Sequence, residues 1–100
     1  MNELARLCAA GSVELVDVRN PDEYATAHVP KARLLPLPQI PDSLSGFPKD
    51  RPVHVICASG GRSARVVAFL REQGIDAVNV SGGTYAWIDA GYEVATGDPS

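Results

Sequence analysis

An α/β fold is predicted from the sequence, a three-layer sandwich whose mostly parallel sheet of four or five strands carries helices on both faces. Three observations predict it. Short runs rich in valine and leucine alternate with segments of helical periodicity, and parallel strands require such crossovers. Each run is too short for a stable helix and is bounded by glycine, proline or asparagine. The chain has 100 residues, enough for one hydrophobic core and too few for two, so residues 1–100 are expected to form a single domain.

The elements follow in order. From Glu3 to Ala10, Leu4, Leu7 and Cys8 fall at helical spacing and Gly11 is placed to stop the helix. Val13, Leu15, Val16 and Val18 make a buried strand that Asp17 and Arg19 close. Asn20 offers an N-cap, Pro21 a first helical residue, and Asp22 and Glu23 put acid at the positive helix end, so a short helix runs to about Ala27. Leu34, Leu35 and Leu37, interrupted by Pro36 and Pro38, supply only a short strand with an irregular exit. The stretch to Arg51 is a connection with one helical turn around Asp42 to Leu44.

Val53 to Cys57 is the clearest strand, and it runs directly into Ala58-Ser59-Gly60-Gly61-Arg62. A helix is expected from Ser63, with Ser63, Val66, Val67 and Leu70 on one face and Gly74 as its stop. Ala77 to Val80 is a further short strand. The last helix turns Trp87 and Ile88 inward and ends at Gly91, and the tail after Val94 is expected to fray. In a sheet of this kind chemistry belongs at the carboxyl edge of the strands.

Composition narrows the function. The net charge is −3, from nine Lys and Arg against twelve Asp and Glu. That leaves no basic excess for a nucleic acid or an anionic bilayer. No apolar run approaches the roughly 18 residues that cross a membrane, and the start lacks the basic and apolar segments of a secretory signal. A cytoplasmic protein is expected. The two cysteines form no C-x-x-C and have no His-rich partner segment, so neither a metal nor a disulfide framework is expected. Neither Ser59-Gly60-Gly61 nor Ser81-Gly82-Gly83 continues as a nucleotide-binding loop would, and no cofactor is expected.

Of the two cysteines, Cys8 sits on an apolar helix face with nothing beside it to lower its pKa and reads as packing material. Cys57 is different. It lies at the carboxyl end of a predicted central strand, before a glycine-bearing loop and a helix start. Glycines admit left-handed backbone angles that let successive N–H groups converge, and the free amides of the helix start add roughly half a positive charge. A thiol at that focus ionises below the free value of about 8.5, because the cradle stabilises thiolate and not thiol. Arg62 adds a fixed cation able to hold an oxyanion, and with Arg65 it leaves the rim of the site positive, favouring small anions. The whole reading requires a thiolate that a donor can reach.

These residues resemble a known family. Leu15-Val16-Asp17-Val18-Arg19, then Pro21, Glu23-Tyr24 and His28-Val29-Pro30, then Cys57 to Ser63, then Gly82-Gly83 with Trp87 and Gly91, are similar in order and spacing to the rhodanese homology domain, from about Leu15 to Val94. The resemblance implies a thiosulfate sulfurtransferase or related sulfur carrier. In such a protein Cys57 would take a sulfane sulfur as a persulfide and pass it to cyanide, a small thiol or a protein thiol. Ala58, Ser59, Gly60, Gly61, Arg62 and Ser63 would cradle it, with Arg62 steering a small anionic donor, thiosulfate or a persulfide.

Two departures from the family's pattern stand out. Its usual Gly-His-Ile-x-Gly-Ala is here Ala27-His28-Val29-Pro30-Lys31-Ala32, which questions the tightness of that turn, and the chain opens on a helix where a short strand is usual. Phosphatases and arsenate reductases of the same fold space cysteine and arginine one residue further apart, so that alternative is disfavoured. A rhodanese-like interaction module that has lost its reaction usually lacks the cysteine, which is present here. Asp17 and Arg19 are expected to fix a loop, pairing with Arg62 or Glu23, while His28 and His54 are expected to be hydrogen-bonded structural residues and Trp87 part of the core.

Overall fold

The computed structural model describes residues 2–11 and 13–97. Four strands, β1 (Glu14–Asp17), β2 (Arg33–Leu34), β3 (Val53–Ile56) and β4 (Ala77–Asn79), form one sheet in the order β2-β1-β3-β4 with every pair parallel. Helix α1 (Asn2–Ala10) precedes β1 and α2 (Pro21–Thr26) crosses from β1 to β2. Two 3-10 segments, Leu37–Gln39 and Pro41–Gly46, lead to β3, α3 (Gly61–Glu72) joins β3 to β4, and α4 (Gly83–Asp89) follows. Pairing of Val16 with Val55 and Asp17 with Ile56 makes the two central strands end level. Arg19 and Cys57 therefore emerge at the same carboxyl edge.

The two-residue period of the strands sorts the core into two layers. Val16, Val53 and Val55 face Val66, Val67 and Leu70 of α3 together with Ile40 and Phe47. Leu15 and Ile56 point the other way, against Leu4 and Cys8 of α1, Tyr24 of α2 and Trp87 of α4. Helices thus cover both faces, as the alternation of elements requires, and the sheet has four strands.

Local departures from expectation have local causes. Strand β2 is only two residues long, because Pro36 and Pro38 divert the chain into 3-10 turns. Helix α3 begins at Gly61, two residues early, because Gly60 adopts a left-handed conformation (φ 110) and serves as the N-cap itself. Ile88 is exposed, not inward, since Thr84 and Trp87 occupy the buried stripe of α4 and Ile88 lies about 100° around the helix. The tail is docked as far as Gly97: Ala95 exchanges two backbone hydrogen bonds with His28 and the Gly97 N–H donates to the Ala25 carbonyl.

The turn without its two glycines is well formed. Ala27 is extended (φ −168), and none of the described non-glycine residues has a positive φ. Val29 and Ala32 are buried, and the Tyr24 hydroxyl donates to the Ala32 carbonyl. Inside the turn His28 stacks on Tyr24 with ring centroids 3.6 Å apart, and its Nδ1 pairs with the Tyr24 carbonyl at 2.7 Å. His54 differs from expectation, since its buried Nδ1 has no partner.

Asp17 and Arg19 pair with each other and not with Arg62 or Glu23. The Arg19 guanidinium meets both carboxylate oxygens at 2.8–3.2 Å and donates a further bond to the Ala27 carbonyl at 2.8 Å. Both side chains are buried, which suits a planar guanidinium with all its partners in place. The pair ties the end of β1 to the end of α2.

Gly83 marks the tightest approach of two elements. It has φ +60, and a Cβ there would collide with the carbonyl oxygens of Cys57 and Ala58. Gly83→Ala is expected to cost about 2–4 kcal/mol from left-handed strain and overpacking together. Gly46→Ala, which meets nothing within 4 Å, should leave stability nearly unchanged. Urea unfolding of both variants checks this, and equal midpoints would show that the α4 contact is dispensable.

Candidate active site

The site is built where β3 ends. Two amides of α4 seize the first two carbonyls of the loop: the Thr84 N–H donates to Cys57 O at 2.9 Å and the Tyr85 N–H to Ala58 O at 3.0 Å. In a trans peptide the C=O and N–H point to opposite sides. Turning the Ala58 carbonyl toward α4 therefore turns the Ser59 amide the other way, toward the cysteine sulfur. Gly60 completes the bend, and its N–H donates to Cys57 Sγ at 3.1 Å. Gly61 is an ordinary helical residue with open space at its Cβ position, so only one of the two loop glycines is needed for its backbone angle.

Ser63, fully buried in the first turn of α3, places its hydroxyl 3.3 Å from Cys57 Sγ. The same oxygen lies 3.2 Å from Gly60 O and within hydrogen-bond reach of Asn79 Oδ1. A hydroxyl has one proton to give. Cys57 Sγ, Gly60 O and Asn79 Oδ1 therefore share that proton, which serves one acceptor at a time. Asn79 also approaches Gly60 O through Nδ2 at 3.4 Å, so this residue of β4 braces both the serine and the loop.

Burial works against ionisation of Cys57, but the Ser63 hydroxyl and the amides of Ser63, Gly60 and Ser59 outweigh it and hold the thiol below its ordinary range. Cys8 is the contrast. Burial pushes its thiol up and Lys31 offsets this only in part. The cradle thus favours an anion on one sulfur and not on the other. Cys57 as a whole keeps 1% of its surface exposed. A donor must reach the sulfur past the exposed or half-buried members of the loop, Ser59, Gly60, Gly61 and Arg62, while Ala58 is buried beneath them.

Arg62 sits at the loop's end, but its guanidinium is engaged. It forms a parallel fork with the Glu23 carboxylate, Nη1 to Oε1 at 2.8 Å and Nη2 to Oε2 at 2.9 Å. Glu23 Oε1 also accepts the Asn20 N–H at 3.0 Å, closing the N-terminus of α2. Hydrogen bonding to Arg62, opposed by partial burial, holds the Glu23 carboxyl down at about 2. The sequence placed Cys57, Ala58, Ser59, Gly60, Gly61, Arg62 and Ser63 in one loop; Ser59, Gly60 and Ser63 hydrogen-bond the Cys57 sulfur, whereas Arg62 turns to Glu23. It did not single out Asn79, or the service Glu23 and Gly83 perform. A polar residue inside the apolar run Ala77 to Val80, at the carboxyl end of a strand, was the available signal for Asn79.

Two measurements follow from the thiolate. In a Cys8→Ser background the ultraviolet absorbance of the Cys57 thiolate should titrate below the ordinary midpoint of about 8.5, and Ser63→Ala should move it upward. A midpoint at or above the ordinary value would remove the electrostatic basis of the site. Because the folded pKa is depressed, the unfolded chain binds more protons between the folded and unfolded values. Cys57 therefore stabilises the fold fully above about 8.5 and loses that contribution as pH falls through the folded value. The stability gap between the protein and Cys57→Ser should widen in that window on raising pH, as urea unfolding will show.

Comparison with known proteins agrees with this geometry. Residues 1–90 match the family described as the rhodanese-like domain. The chain is 42% identical over 90 residues to a sulfurtransferase of Allochromatium vinosum, covering 89% of this chain and 84% of that protein. It is 32% identical over 91 residues to the thiosulfate sulfurtransferase GlpE of Shewanella oneidensis, covering 90% of each. Among solved structures, a rhodanese-like domain protein from Staphylococcus aureus superposes with a TM-score of 0.83 at 44% identity, over 95% of this chain and 94% of that one. A rhodanese-related protein from Thermoplasma volcanium gives 0.85 at 32% identity, over 94% and 92%. With the parallel sheet, the cysteine loop and these relatives in agreement, the chain belongs to the rhodanese-like domain family.

Proposed function

We propose that this chain is a sulfurtransferase that carries a sulfane sulfur on Cys57. The Cys57 thiolate attacks the outer sulfur of thiosulfate or of a small persulfide. A new S–S bond forms to Cys57, the donor's S–S bond breaks, and its electron pair leaves with sulfite or with a thiolate. The Cys57 persulfide is then attacked at its outer sulfur by cyanide, a small thiol or a protein thiol, which returns the thiolate. Kinetics are ping-pong. The observation that carries this reading is the convergence of the Gly60 amide and the Ser63 hydroxyl on Cys57 Sγ.

The chemistry fits the cradle at each stage. Thiolate and perthiolate are both anions, so donors fixed by the backbone stabilise the resting enzyme and the loaded one without reorganising. No general base is invoked, because the cradle lowers the thiol's pKa and so favours the nucleophilic thiolate. Relatives that bear the name sulfurtransferase span most of their length with this chain, which supports the assignment.

One observation favours a second reading. The 1% exposure of Cys57 suits a rhodanese-fold module that binds partners without turning over sulfur. Intact mass after incubation with thiosulfate or cysteine persulfide separates the two. One added sulfur, removable by cyanide and absent from Cys57→Ser, is expected. Cys57→Ser should also lower turnover by roughly a thousandfold or more while leaving the fold intact. A chain that gains no sulfur from either donor would be the silent module.

A further inference from the structure

One buried proton at the site has more than one place to go. The Ser63 hydroxyl oxygen is fully buried and lies 3.3 Å from Cys57 Sγ, 3.2 Å from Gly60 O and 2.5 Å from Asn79 Oδ1. The contact with Asn79 is the shortest of these. Gly60 O can only accept, so the amide nitrogen of Asn79 faces it, at 3.4 Å, and the amide oxygen is left to face the serine. Asn79, the last residue of β4, therefore presents an acceptor to a hydroxyl that also faces the sulfur. The charged groups around the loop are engaged elsewhere. Arg62 of α3 pairs with Glu23 of α2 and Arg19 pairs with Asp17 at the end of β1, while Arg65 of α3 lines a separate groove with Ile40 and Phe69 and the Tyr85 side chain of α4 is exposed. The rim is thus less positive than the sequence expectation.

The charge on Cys57 decides where the serine proton points. A thiolate is the strongest acceptor within its reach, and the hydroxyl turns to it. A thiol is a weak acceptor, and a buried hydroxyl then needs another partner. Asn79 Oδ1 supplies one. The same holds once Sγ carries a sulfane sulfur, because the negative charge then resides on the outer sulfur and Sγ is a neutral atom bonded on both sides. No proton is transferred in either case. Only the O–H bond rotates.

We infer that Asn79 is a positioning residue that receives the Ser63 proton whenever Cys57 Sγ is uncharged and releases it to the sulfur when charge returns there. A hydrogen bond available only beside the neutral form disfavours the charged one, so Asn79 restrains the ionisation that the rest of the cradle promotes. What concerns the loaded protein rests on the sulfurtransferase reading. On loading, the bond from Sγ to the incoming sulfur forms, the donor's S–S bond breaks with its electron pair leaving on the donor, and the hydroxyl turns from Sγ to Asn79. On discharge the acceptor takes the outer sulfur, the pair of the breaking bond returns to Sγ, and the hydroxyl turns back. Restraint has a use here, because the nucleophilicity of a thiolate falls with its basicity. Asn79 acts through Ser63 and belongs to the site without joining the chemistry.

The test is the ultraviolet titration of the Cys57 thiolate in the Cys8→Ser background, repeated with Asn79→Leu, which keeps a similar shape and removes both amide atoms. The midpoint should fall by about one pH unit, the order of a hydrogen bond to a charged group. Loss of a residue that merely braced the loop would loosen the sulfur's donors and raise the midpoint instead. With Ser63→Ala also present, Asn79→Leu should no longer move it. Should Asn79→Leu fail to fold, Asn79→Ala carries the same expectations. A midpoint that rises or stays in place, or a fall that persists without the Ser63 hydroxyl, overturns the inference. Above both midpoints the Asn79 variant should gain sulfur from thiosulfate about threefold more slowly, as its less basic thiolate requires. An equal or faster rate overturns the kinetic use assigned to the restraint. If the unaltered protein gains no sulfur from thiosulfate or cysteine persulfide, the sulfurtransferase assignment falls, and the titration, which needs no donor, still decides the role of Asn79.

Discussion

The site depends on two hydrogen bonds that contain no catalytic atom, those from the Thr84 and Tyr85 amides of α4 to the carbonyls of Cys57 and Ala58. A peptide group cannot point its oxygen and its N–H to the same side. Once α4 claims the Ala58 oxygen, the Ser59 amide that shares its peptide group is turned toward the sulfur. Gly83 is the geometric condition for this, because any Cβ at that position would occupy the space of the carbonyls it adjoins. The acidity of the thiol is set by Ser63, Gly60 and Ser59, and α4 supports the part of the loop that presents Ser59.

A second constraint runs along the same edge. Asp17, Arg19, Glu23 and Arg62 are organised as two separate bidentate pairs, one buried and one at the surface. The buried pair spends its guanidinium on the end of α2 through the Ala27 carbonyl. The surface pair ties the start of α2 to the start of α3 through Glu23, which also caps its own helix. Both ends of α2 are thereby fixed relative to the cysteine loop. Each of the two guanidiniums at this edge is thereby committed to a carboxylate.

Much of the fold was readable because the signals were strong and local. Alternating short β-branched runs and helical stretches gave the parallel sheet, and the loop from Cys57 to Ser63 announced itself by two glycines between a strand and a helix. Pairing was harder to read. Asp17 and Arg19 were visible as charged residues closing a strand, but which cation meets which anion depends on the positions of three elements in space. Ile88 shows the limit of helical patterning: in a helix of seven residues a large apolar side chain at the stripe's margin is indistinguishable from one inside it. The docked tail was illegible for the same reason, since its bonds to His28 and Ala25 join segments far apart in sequence.

What the sequence determined by itself is the inventory and the order: one cysteine after a buried strand, a loop with the backbone freedom to bend, and a helix start to receive charge. These follow from local backbone preference, which neighbouring residues settle among themselves. What only the tertiary structure decided is which charges remain free and which amides face the sulfur. Arg62 is a cation in the sequence but half of a neutral pair in the fold, and Asn79 is a strand residue that becomes a brace for Ser63. Electrostatic function depends on distances of a few ångströms between residues tens of positions apart, and only packing sets those distances.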